Sequence, residues 1–560
     1  MRVGQEEWAT LSPAKVRKRA DCLRIRVAQW NPFGLNQQVN VFLRRTWHRF
    51  LATGLFLSLA GCGGGDSSPV AGGTGNAPVR GSLVQFPARL VQTVTAANLL
   101  LQLGGVANLP LLALSGTPLC DIAIYHLEYN TVGGRNEATT ASGALMVPTG
   151  VDPSCRGARP ILLYAHGTST NQAYDISDLS DAQNAEGLLL AGVFAAQGYI
   201  VVAPNYAGYD TSTLAYHAYL DADQQSKDMI DALRAARLAL PVAGLQLTTD
   251  SGRLFLTGYS QGGYVAMATE RAMQAAGMPV TAAAPMSGPY ALAAFFDRVA
   301  NGQVEGGAPV VVTMLVTGYQ HSYGNLYASP GELFEPRYAN GIDSLLPGRV
   351  PRSELYAQGL LPRYALFSAT PPDPAYAAIT PAVQPAFLAP VFALGFGSGN
   401  LLTNAFRLAY LHDAAAHPDG GWPAVTDGAP AASPGLALRQ ALVLNDLRNW
   451  SPTAPTLLCG GHGDPQVFWS NTQLMQGYWE SRRPAATGYS VLDLEAPVLA
   501  ADPYGSLKDQ FAVARQAVAL LAIAQGATDG GVAAVFEAYH ATLVAPFCLA
   551  AVRSFFASQP

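Results

Sequence analysis

The chain has 560 residues, of which 13% are charged and 49% hydrophobic, and its formal net charge is −5. Ordinary soluble proteins carry about 25% charged residues, so this low-charge composition is typical of exported proteins. Residues 1–61 hold ten Lys or Arg and three Asp or Glu, which leaves an acidic remainder with 23 basic and 35 acidic residues. That balance excludes the dense basic surface that nucleic-acid binding requires. The length predicts one large domain with an insertion, or two domains.

A targeting segment explains the basic start of the chain. Three arginines precede the uncharged run 50–60, which has the length of a signal-peptide core and is too short to span a bilayer. The run ends in Leu59-Ala60-Gly61-Cys62, which resembles a bacterial lipobox, whose cysteine becomes lipidated. We therefore predict membrane attachment through Cys62, followed by a Gly/Ser-rich flexible tether. The alternative is an ordinary cleaved signal peptide with an incidental cysteine.

Two details of this segment refine the expected location. Residues 1–40 are mixed polar and basic residues, with which no secretory signal begins, so we expect translation to start nearer Val39 or Val41. Gly63, and not the aspartate associated with inner-membrane retention, follows Cys62. The sequence predicts an exported bacterial lipoprotein of the outer membrane, periplasm or cell surface.

Export permits disulfides among the cysteines downstream of the lipobox. These are Cys120, Cys155, Cys459 and Cys548. Four cysteines can pair in three ways. We favour the pair Cys120 and Cys155, which bracket a short β-like segment, and the pair Cys459 and Cys548, which lie near the candidate acid and base identified below.

The central part of the chain alternates β-type runs with helical segments. Two β-like runs separated by Gly133-Gly134 predict an antiparallel hairpin at one sheet edge, namely 122–131 and 141–147. The other predicted strands are 161–165, 199–203, 253–257, 280–284, 455–459 and 489–494. Helical segments are predicted at 86–118, 187–197, 223–240, 507–523 and 543–556. Continuous apolar strands alternating with helices imply a mainly parallel sheet that is covered on both faces.

This alternation is lost between residues 291 and 450, which are rich in Pro, Gly, Ala and aromatic residues. We interpret this segment as a cap over the catalytic edge; its charge-free part, 374–406, forms either an apolar lid underside or an irregular buried core. The predicted organisation has five parts: a leader and signal peptide (1–61), a tether (62–85), a first core part (86–290), a cap or lid insertion (291–450) and a second core part (451–560).

Residues 258–262 read Gly-Tyr-Ser-Gln-Gly between a β-type run and a helical stretch. This order is typical of the strand, sharp turn and helix that present the nucleophilic serine of an α/β-hydrolase. The glycines are needed because a Cβ two residues either side of the serine would clash in so tight a turn. Ser260 is therefore the candidate nucleophile; the alternative is a Gly-rich turn with a surface serine.

A serine hydroxyl needs a base and an acid, which follow it in this fold in the order acid, then histidine. Asp464 closely follows an apolar strand, as the loop acid should, although a helix amino-terminal cap before Pro465 at the first helical position is the alternative role. Asp493 and Glu495 are rival acids. No metal is expected, because the histidines are scattered and no His/Cys pair has ligand spacing on a recognisable finger or helix.

His540 is the candidate base among nine histidines, because it follows the last predicted strand and directly precedes the terminal helix. The gap of 44 residues between Ala496 and His540 implies an additional helical excursion. His462 is the rival, but two residues from Asp464 it more naturally shapes that loop.

Two backbone donors should stabilise the oxyanion that forms when the serine attacks. One is the N–H of Gln261, immediately after the nucleophile. The other is the N–H of Thr168, in the turn after the strand that ends at Ala165. His166 precedes the nucleophile in the chain, so we assign it a structural role.

Five elements of the chain resemble the bacterial and fungal secretory lipases and related α/β-hydrolase esterases. They are Tyr164-Ala-His-Gly-Thr168, Val202-Ala-Pro-Asn-Tyr-Ala-Gly-Tyr209, Gly258-Tyr-Ser-Gln-Gly-Gly263, Pro285-Met-Ser-Gly-Pro-Tyr290 and the Asp464 loop. They cover most of residues 120–290 and 450–556. Family members often carry Asp where this chain has Asn205, a position to which we assign no role.

The resemblance implies cleavage of hydrophobic carboxylic esters, lipid or polyester included, by acylation of Ser260 and by water activated through His540, without a cofactor. Acyl transfer and peptide cleavage on the same fold are alternatives. A further alternative is a non-catalytic surface lipoprotein on a hydrolase scaffold.

Overall fold

The computed structural model describes residues 78–104, 114–181, 184–243, 247–482 and 488–560. The predicted signal peptide, Cys62 and most of the predicted tether lie outside these residues.

One nine-stranded sheet runs through the molecule in the order β1-β2-β3-β5-β4-β6-β7-β8-β9. Its strands are β1 (Arg89–Val94), β2 (Asp121–Val132), β3 (Ala138–Thr149), β4 (Gly157–Ala165), β5 (Ile200–Pro204), β6 (Thr248–Tyr259), β7 (Ala282–Met286), β8 (Thr456–Gly460) and β9 (Tyr489–Asp493). In this order, the first three neighbouring pairs (β1–β2, β2–β3 and β3–β5) are antiparallel. The remaining five pairs, from β5–β4 to β8–β9, are parallel. The predicted mainly parallel α/β-hydrolase sheet is thereby confirmed.

Helices cover the sheet and fill the long connections. They are α1 (Ala96–Leu103), α2 (Ala185–Val193), α3 (Ala222–Ala243), α4 (Gln261–Ala275), α5 (Leu292–Ala300), α6 (Ala308–Tyr323), α7 (Pro336–Ala339), α8 (Arg352–Ala357), α9 (Ala389–Leu394), α10 (Asn404–Ala416), α11 (Ala437–Leu444), α12 (Ser470–Arg482), α13 (Gly505–Ala524), α14 (Val532–Ala538) and α15 (Ala545–Ala557). Strands β5, β7 and β8 are wholly buried, as are the carboxyl-terminal halves of β4 and β6, which explains the continuous apolar sequences of these stretches.

The amino-terminal part of the described chain differs from the expected helical stretch 86–118. Residues 89–94 form strand β1, which pairs with β2; helix α1 covers 96–103, and 114–115 are the other helical residues of this stretch that the structure describes. The predicted hairpin of β2 and β3 is present, but it lies one strand inside the edge. An apolar run of this length can form either a helix or a strand. Residues 89–94 form a strand because β2 would otherwise be an open edge of the sheet.

The segment between β7 and β8 is an insertion between two neighbouring parallel strands, and it holds α5 to α11. Buried ion pairs join different parts of this insertion to one another. Arg439 pairs with Asp297 and Asp413, each at 2.8 Å, and the fully buried Arg448 pairs with Asp419 at 2.6 Å. Removing one partner of such a pair leaves an uncompensated buried charge, so these contacts specify how the insertion folds.

The last helical segment, Val532–Ala557, is apolar and long enough by composition to cross a membrane. Half of its most apolar window is buried inside the protein. Phe556 stacks on Phe255 of β6 with ring centroids 4.6 Å apart, so this end of the segment packs against the sheet.

Two disulfides join the cysteines in the pairing that the sequence favours. Cys120 is bonded to Cys155, and Cys459 to Cys548. The second bond links β8 to α15 across 89 residues of sequence. It therefore connects the segment before Asp464 with the helix that follows His540.

We expect the double substitution Cys459→Ser/Cys548→Ser to lower the free energy of unfolding by about 2–4 kcal/mol, because the open chain gains conformational entropy. Thermal unfolding of the oxidised wild type and the variant measures the difference. Cys120→Ser/Cys155→Ser is the matched control, and it should lower stability while leaving the local geometry around His540 intact. Equal unfolding temperatures for the wild type and the Cys459/Cys548 variant would contradict the expectation.

Candidate active site

Ser260 occupies a sharp turn between the carboxyl end of β6 and the start of α4. Its backbone has φ +62° and ψ −122°, a conformation that residues other than glycine rarely adopt. The Ser260 N–H donates to the Met286 carbonyl at 3.0 Å, which holds the turn against the end of β7. The side chain is partly exposed at the carboxyl edge of the sheet.

Close backbone packing explains the glycines on either side of the serine. A Cβ at Gly262 would lie 1.9 Å from the Ala165 carbonyl oxygen, and a Cβ at Gly258 would lie 2.3 Å from the Gly262 carbonyl oxygen. Both contacts are to backbone, which cannot yield without moving β4 or α4. The turn and the loop after β4 therefore pack directly on one another.

Asp464 lies in the loop after β8 and is buried. Its Oδ1 accepts the N–H groups of Gln466 at 2.9 Å and Val467 at 3.1 Å. Its Oδ2 faces the His540 ring. The carboxylate thus both closes its own turn and contacts the histidine, with a different oxygen for each.

His540 belongs to a π-helical turn, Tyr539–Val544, that continues directly from α14 into α15. The sequence predicted it just before the terminal helix, but it lies inside one continuous helical segment. The wider turn places the buried His540 ring beside Tyr259, with ring centroids 4.9 Å apart. The Tyr259 hydroxyl donates to the His540 carbonyl oxygen, so a side chain of the serine turn also fixes the backbone of the histidine.

The structure brings Ser260, His540 and Asp464 together in one hydrogen-bonded chain. His540 Nε2 lies 2.8 Å from Ser260 Oγ, and His540 Nδ1 lies 2.6 Å from Asp464 Oδ2. With Nδ1 donating to the carboxylate, Nε2 is free to accept the serine proton. This is the arrangement that a nucleophilic serine needs.

The rival residues make other contacts. Asp493 Oδ2 lies 2.8 Å from Nδ1 of His462, whose side chain is half exposed. Glu495 accepts from the Tyr539 hydroxyl and from the Gly463 N–H, and it pairs with Arg515. These acids support the Asp464 loop and the helix beside His540.

The loop after β4, which carries Thr168, lies next to the serine turn because Ala165 pairs with Gly258 across β4 and β6. Glu186 holds this loop: its carboxylate accepts the Gly167 N–H at 3.0 Å and the Tyr164 hydroxyl at 2.8 Å. Sequence reasoning missed Glu186, which looks like an ordinary acidic residue in the first turn of α2.

His166 is fully buried and stacks on Tyr206, with ring centroids 4.2 Å apart, as suits its predicted structural role. Burial lowers the pKa of His166 to about 4. Asn205, to which the sequence assigned no role, supports it. The Asn205 carbonyl oxygen lies 3.0 Å from His166 Nε2, and its amide donates to Ser142 Oγ at 2.9 Å and accepts from the Ile176 N–H at 2.8 Å.

Thr168 and Gln261, the two expected oxyanion donors, are each held by a buried partner that the sequence did not reveal. Thr168 Oγ1 lies 2.8 Å from the Tyr219 hydroxyl. The Gln261 side-chain Nε2 lies 2.8 Å from Nε2 of His217. Gln261 is also the first residue of α4, where a backbone N–H has no acceptor within the helix.

The contacts of His217 fix its protonation. Its Nδ1 lies 3.0 Å from the Ala207 carbonyl oxygen and must carry the hydrogen, which leaves Nε2 to accept from the Gln261 amide. Burial lowers the pKa of His217 to about 3, so the ring stays neutral at ordinary pH.

One group of described residues has donor atoms close enough to hold a metal ion: His126, Asp175 and Asp210. Its members already bond to protein partners. His126 Nε2 lies 2.7 Å from Asp210 Oδ2, which also accepts from Ser142 Oγ at 2.7 Å. Asp175 accepts from the Ser177 hydroxyl and N–H. These three side chains therefore belong to a hydrogen-bond network next to Asn205.

Comparisons with known proteins agree with this fold. A family model described as the prolyl oligopeptidase family matches residues 189–284, which include Ser260. The solved structure of the rice cell wall degrading esterase LipA from Xanthomonas oryzae is 27% identical, with a TM-score of 0.57, and the match covers 74% of this chain and 91% of that chain. A Legionella pneumophila protein classed as a hydrolase is 20% identical over 73% and 91% of the two chains, with a TM-score of 0.53, and shares the fold. No curated protein sequence matches the chain.

The sheet order, the serine turn and these likenesses define the class. The chain has the α/β-hydrolase fold, as the sequence resemblance predicted, and its likenesses all point to that superfamily. It is a hydrolase of that fold with esterase-like structural neighbours.

We expect Gly262→Ala to destabilise the protein by about 3 kcal/mol or more, because the added methyl group overlaps a backbone carbonyl that cannot move freely. Chemical denaturation monitored by tryptophan fluorescence measures the loss. Gly477→Ala is the matched control, since a Cβ at this exposed position in α12 meets nothing within 4 Å. The control should be neutral or stabilising by roughly 0.5–1 kcal/mol. Equal stability of the two variants would contradict the packing argument.

Proposed function

We propose that this protein is a serine hydrolase that cleaves carboxylic esters of hydrophobic substrates through an acyl-enzyme intermediate. The observation that carries the proposal is the hydrogen-bonded chain from Asp464 through His540 to Ser260. A partly exposed serine in a strained turn, aligned with a buried imidazole and a buried carboxylate, is difficult to explain by stability alone.

In the proposed reaction, His540 Nε2 takes the proton of Ser260 as Oγ attacks the ester carbonyl carbon. The same nitrogen then gives the proton to the departing alcohol oxygen, which leaves an acyl group on Ser260. A water molecule then attacks the acyl carbon as it gives a proton to His540; the bond between the acyl carbon and Ser260 Oγ breaks, His540 returns the proton to Oγ, and the carboxylic acid is released. Asp464 keeps the ring in the Nδ1–H tautomer and compensates the transient imidazolium charge.

The oxyanion formed in each step accepts hydrogen bonds from the N–H groups of Gln261 and Thr168 in this proposal. Support comes from their place beside Ser260: one begins α4, and the other follows a strand whose end pairs with that of β6. His217 and Tyr219 act indirectly, as positioning residues for these two donors. Such donors contribute most when they are fixed before the reaction.

An ester substrate is favoured by the likeness to a structure described as an esterase. The match of residues 189–284 to the prolyl oligopeptidase model favours a second candidate, the cleavage of peptides or amides. Acyl transfer to an alcohol would use the same residues. Product analysis with ester, amide and competing alcohol separates the three reactions.

We also propose that residues 291–450 form the cap over the site and that the mature protein is an exported lipoprotein anchored through Cys62. The two disulfides support export, because such bonds persist in oxidising compartments. Mass spectrometry of the mature amino terminus would detect diacylglycerol on Cys62. An unmodified amino terminus at another residue would exclude the anchor.

We expect Ser260→Ala to abolish labelling by a fluorophosphonate probe and to lower ester hydrolysis by about 10⁴-fold or more. Hydrolysis of p-nitrophenyl esters from acetate to palmitate measures the activity and its preference for acyl length. His540→Gln and Asp464→Asn should each cause large losses of kcat.

The rival residues provide matched controls for these variants. His462→Gln and Asp493→Asn change the same residue types nearby, and they should keep most of the activity because neither side chain contacts His540 or Ser260. If Asp493→Asn proved as damaging as Asp464→Asn, or if Ser260→Ala retained activity, the proposed assignment would be wrong.

We expect His217→Phe to lower kcat by about tenfold to a hundredfold with little change in KM, because a displaced oxyanion donor weakens only the transition state. A double-mutant cycle with Gln261→Ala provides the measurement. If His217 acts through the Gln261 side chain, the double variant loses no more activity than either single variant. His321→Phe is the control: it replaces another imidazole, one that stacks on Tyr216, and should leave kcat unchanged. Additive losses in the cycle would contradict the positioning role.

A further inference from the structure

A surface groove lies at the amino-terminal ends of strands β4 and β6, beside the carboxyl-terminal part of helix α15. Its volume is about 570 Å³, which is within the range of small-molecule sites. Its lining combines partly buried polar side chains with exposed small residues such as Ala158 and Ala557. Among the described residues that line it are three arginines and no acid: Arg159, Arg253 and Arg553. The groove is therefore open to solvent and positively charged.

The groove and the serine turn lie at opposite edges of the sheet. Arg253 is in the first part of β6, and Ser260 directly follows the carboxyl end of the same strand. At about 3.3 Å per residue, the extended strand separates them by roughly 20 Å. The groove is therefore not part of the proposed catalytic site.

Two of the arginines are fixed on the loop that precedes β5. Arg159 Nε donates to the Gly198 carbonyl oxygen at 2.8 Å, and a Cβ at Gly198 would lie 2.6 Å from Nη2 of the same arginine. Arg553 donates to the Ser115 carbonyl oxygen, which also accepts from the Gln197 side-chain amide at 3.2 Å. Neutral backbone carbonyl groups thus position both guanidinium groups without compensating their charge.

The third guanidinium group, that of Arg253, is held by an aromatic ring and by the end of the chain. It lies 5.1 Å from the centroid of the Phe255 ring and donates to the Gln559 carbonyl oxygen at 2.8 Å. Its Nε is buried and has no hydrogen-bond partner among the described residues. Burial raises the pKa of Tyr199, which also lines the groove, and the charges of all three arginines lower it. The three cations therefore lie around one tyrosine.

No acid of the described chain forms an ion pair with these arginines, whose hydrogen bonds there all end on backbone carbonyl oxygens. Burial lowers the pKa of Arg159, and the charge of Asp152 opposes this only from beyond ion-pair distance, since its carboxylate binds Ser154. Asp250, the register partner of Arg159 on β6, pairs with Arg237 at 2.9 Å. The groove thus concentrates positive charge in a chain that is acidic after residue 61.

We propose that this groove is a binding site for a phosphate group, carried either by a lipid head group or by a soluble phosphate ester. A guanidinium group offers five N–H donors in a planar fork that matches phosphate oxygens. One fork satisfies the two oxygens of a carboxylate, whereas a phosphate has further oxygens for a second and a third guanidinium group. A bound phosphate also offsets the repulsion between three like charges in a partly buried groove.

Isothermal titration calorimetry of the purified protein with inorganic phosphate, at constant pH and ionic strength, tests the site. We expect saturable binding at one site per molecule. Arg253→Gln should weaken it by about tenfold or more, because a charge-assisted hydrogen bond is lost. Arg159→Gln is a second variant with the same expected result. Thermal unfolding without phosphate checks that both variants are folded.

Arg337→Gln is the matched control for the two variants. Arg337 is exposed, stacks on the Tyr338 ring in α7 of the insertion, and does not line the groove. The substitution removes the same charge from the molecule, so it should leave the affinity for phosphate unchanged.

Two soluble compounds distinguish the sources of the phosphate group. Glycerol 3-phosphate is a phosphate monoester, and glycerophosphoglycerol is the diester head group of phosphatidylglycerol without its acyl chains. Tighter binding of the diester identifies a lipid head group, and tighter binding of the monoester identifies a soluble phosphate ester. Acetate at the same ionic strength should not compete with either compound.

Hydrogen exchange of the wild type with and without phosphate locates the binding without any substitution. We expect phosphate to protect backbone amides in 157–159 and 197–199. The proposal is overturned if none of the three phosphate compounds binds, if acetate binds as tightly, or if both folded arginine variants keep the wild-type affinity. Protection confined to other segments would also overturn it.

Discussion

The molecule depends on the contact between the serine turn and the two strand ends that flank it. Gly262 packs on the Ala165 carbonyl so closely that no side chain fits between them, and Ser260 bonds back to Met286 of β7. These backbone contacts force the left-handed conformation of Ser260. They also bring the Thr168 loop beside it, so the same packing that strains Ser260 assembles the groups around it.

Long-range contacts complete what this local turn begins. His540 is 280 residues from Ser260, and Asp464 is 76 residues from His540, yet each pair is within hydrogen-bond distance. The disulfide Cys459–Cys548 ties the strand before the acid to the helix after the histidine. Asp464 and His540 are therefore held by a covalent link and by the sheet, while Tyr259 joins the His540 backbone to the serine turn.

Much of the fold was predictable because buried parallel strands leave a simple signal. Strands such as Ile200–Pro204 and Thr456–Gly460 are continuous apolar runs, and the Gly-Tyr-Ser-Gln-Gly turn has a steric requirement that only glycine meets. The sequence also predicted the residues that the structure joins around Ser260. Their catalytic roles remain the subject of the experiments proposed above.

Other features had no local signal in the sequence. Strand β1 forms because β2 offers an open edge, which no property of residues 89–94 reveals. The π-helical turn at His540 and the supporting roles of Glu186, Asn205 and His217 arise from tertiary contacts. The buried pairs of Arg439 and Arg448 likewise read as solvated charges in the sequence, because their partners lie on separate helices and loops of the insertion.

The position of the insertion has an evolutionary consequence. Strands β7 and β8 are parallel neighbours in the sheet, so the segment between them leaves the carboxyl end of β7 and returns to the amino end of β8, and its two ends stay only about a strand length apart. Lengthening such a loop adds little to the entropy of closing it. The inserted stretch can therefore be rewritten by mutation, recombination or design while the sheet keeps the geometry of Ser260, His540 and Asp464, so that sequence change in the insertion need not disturb their arrangement.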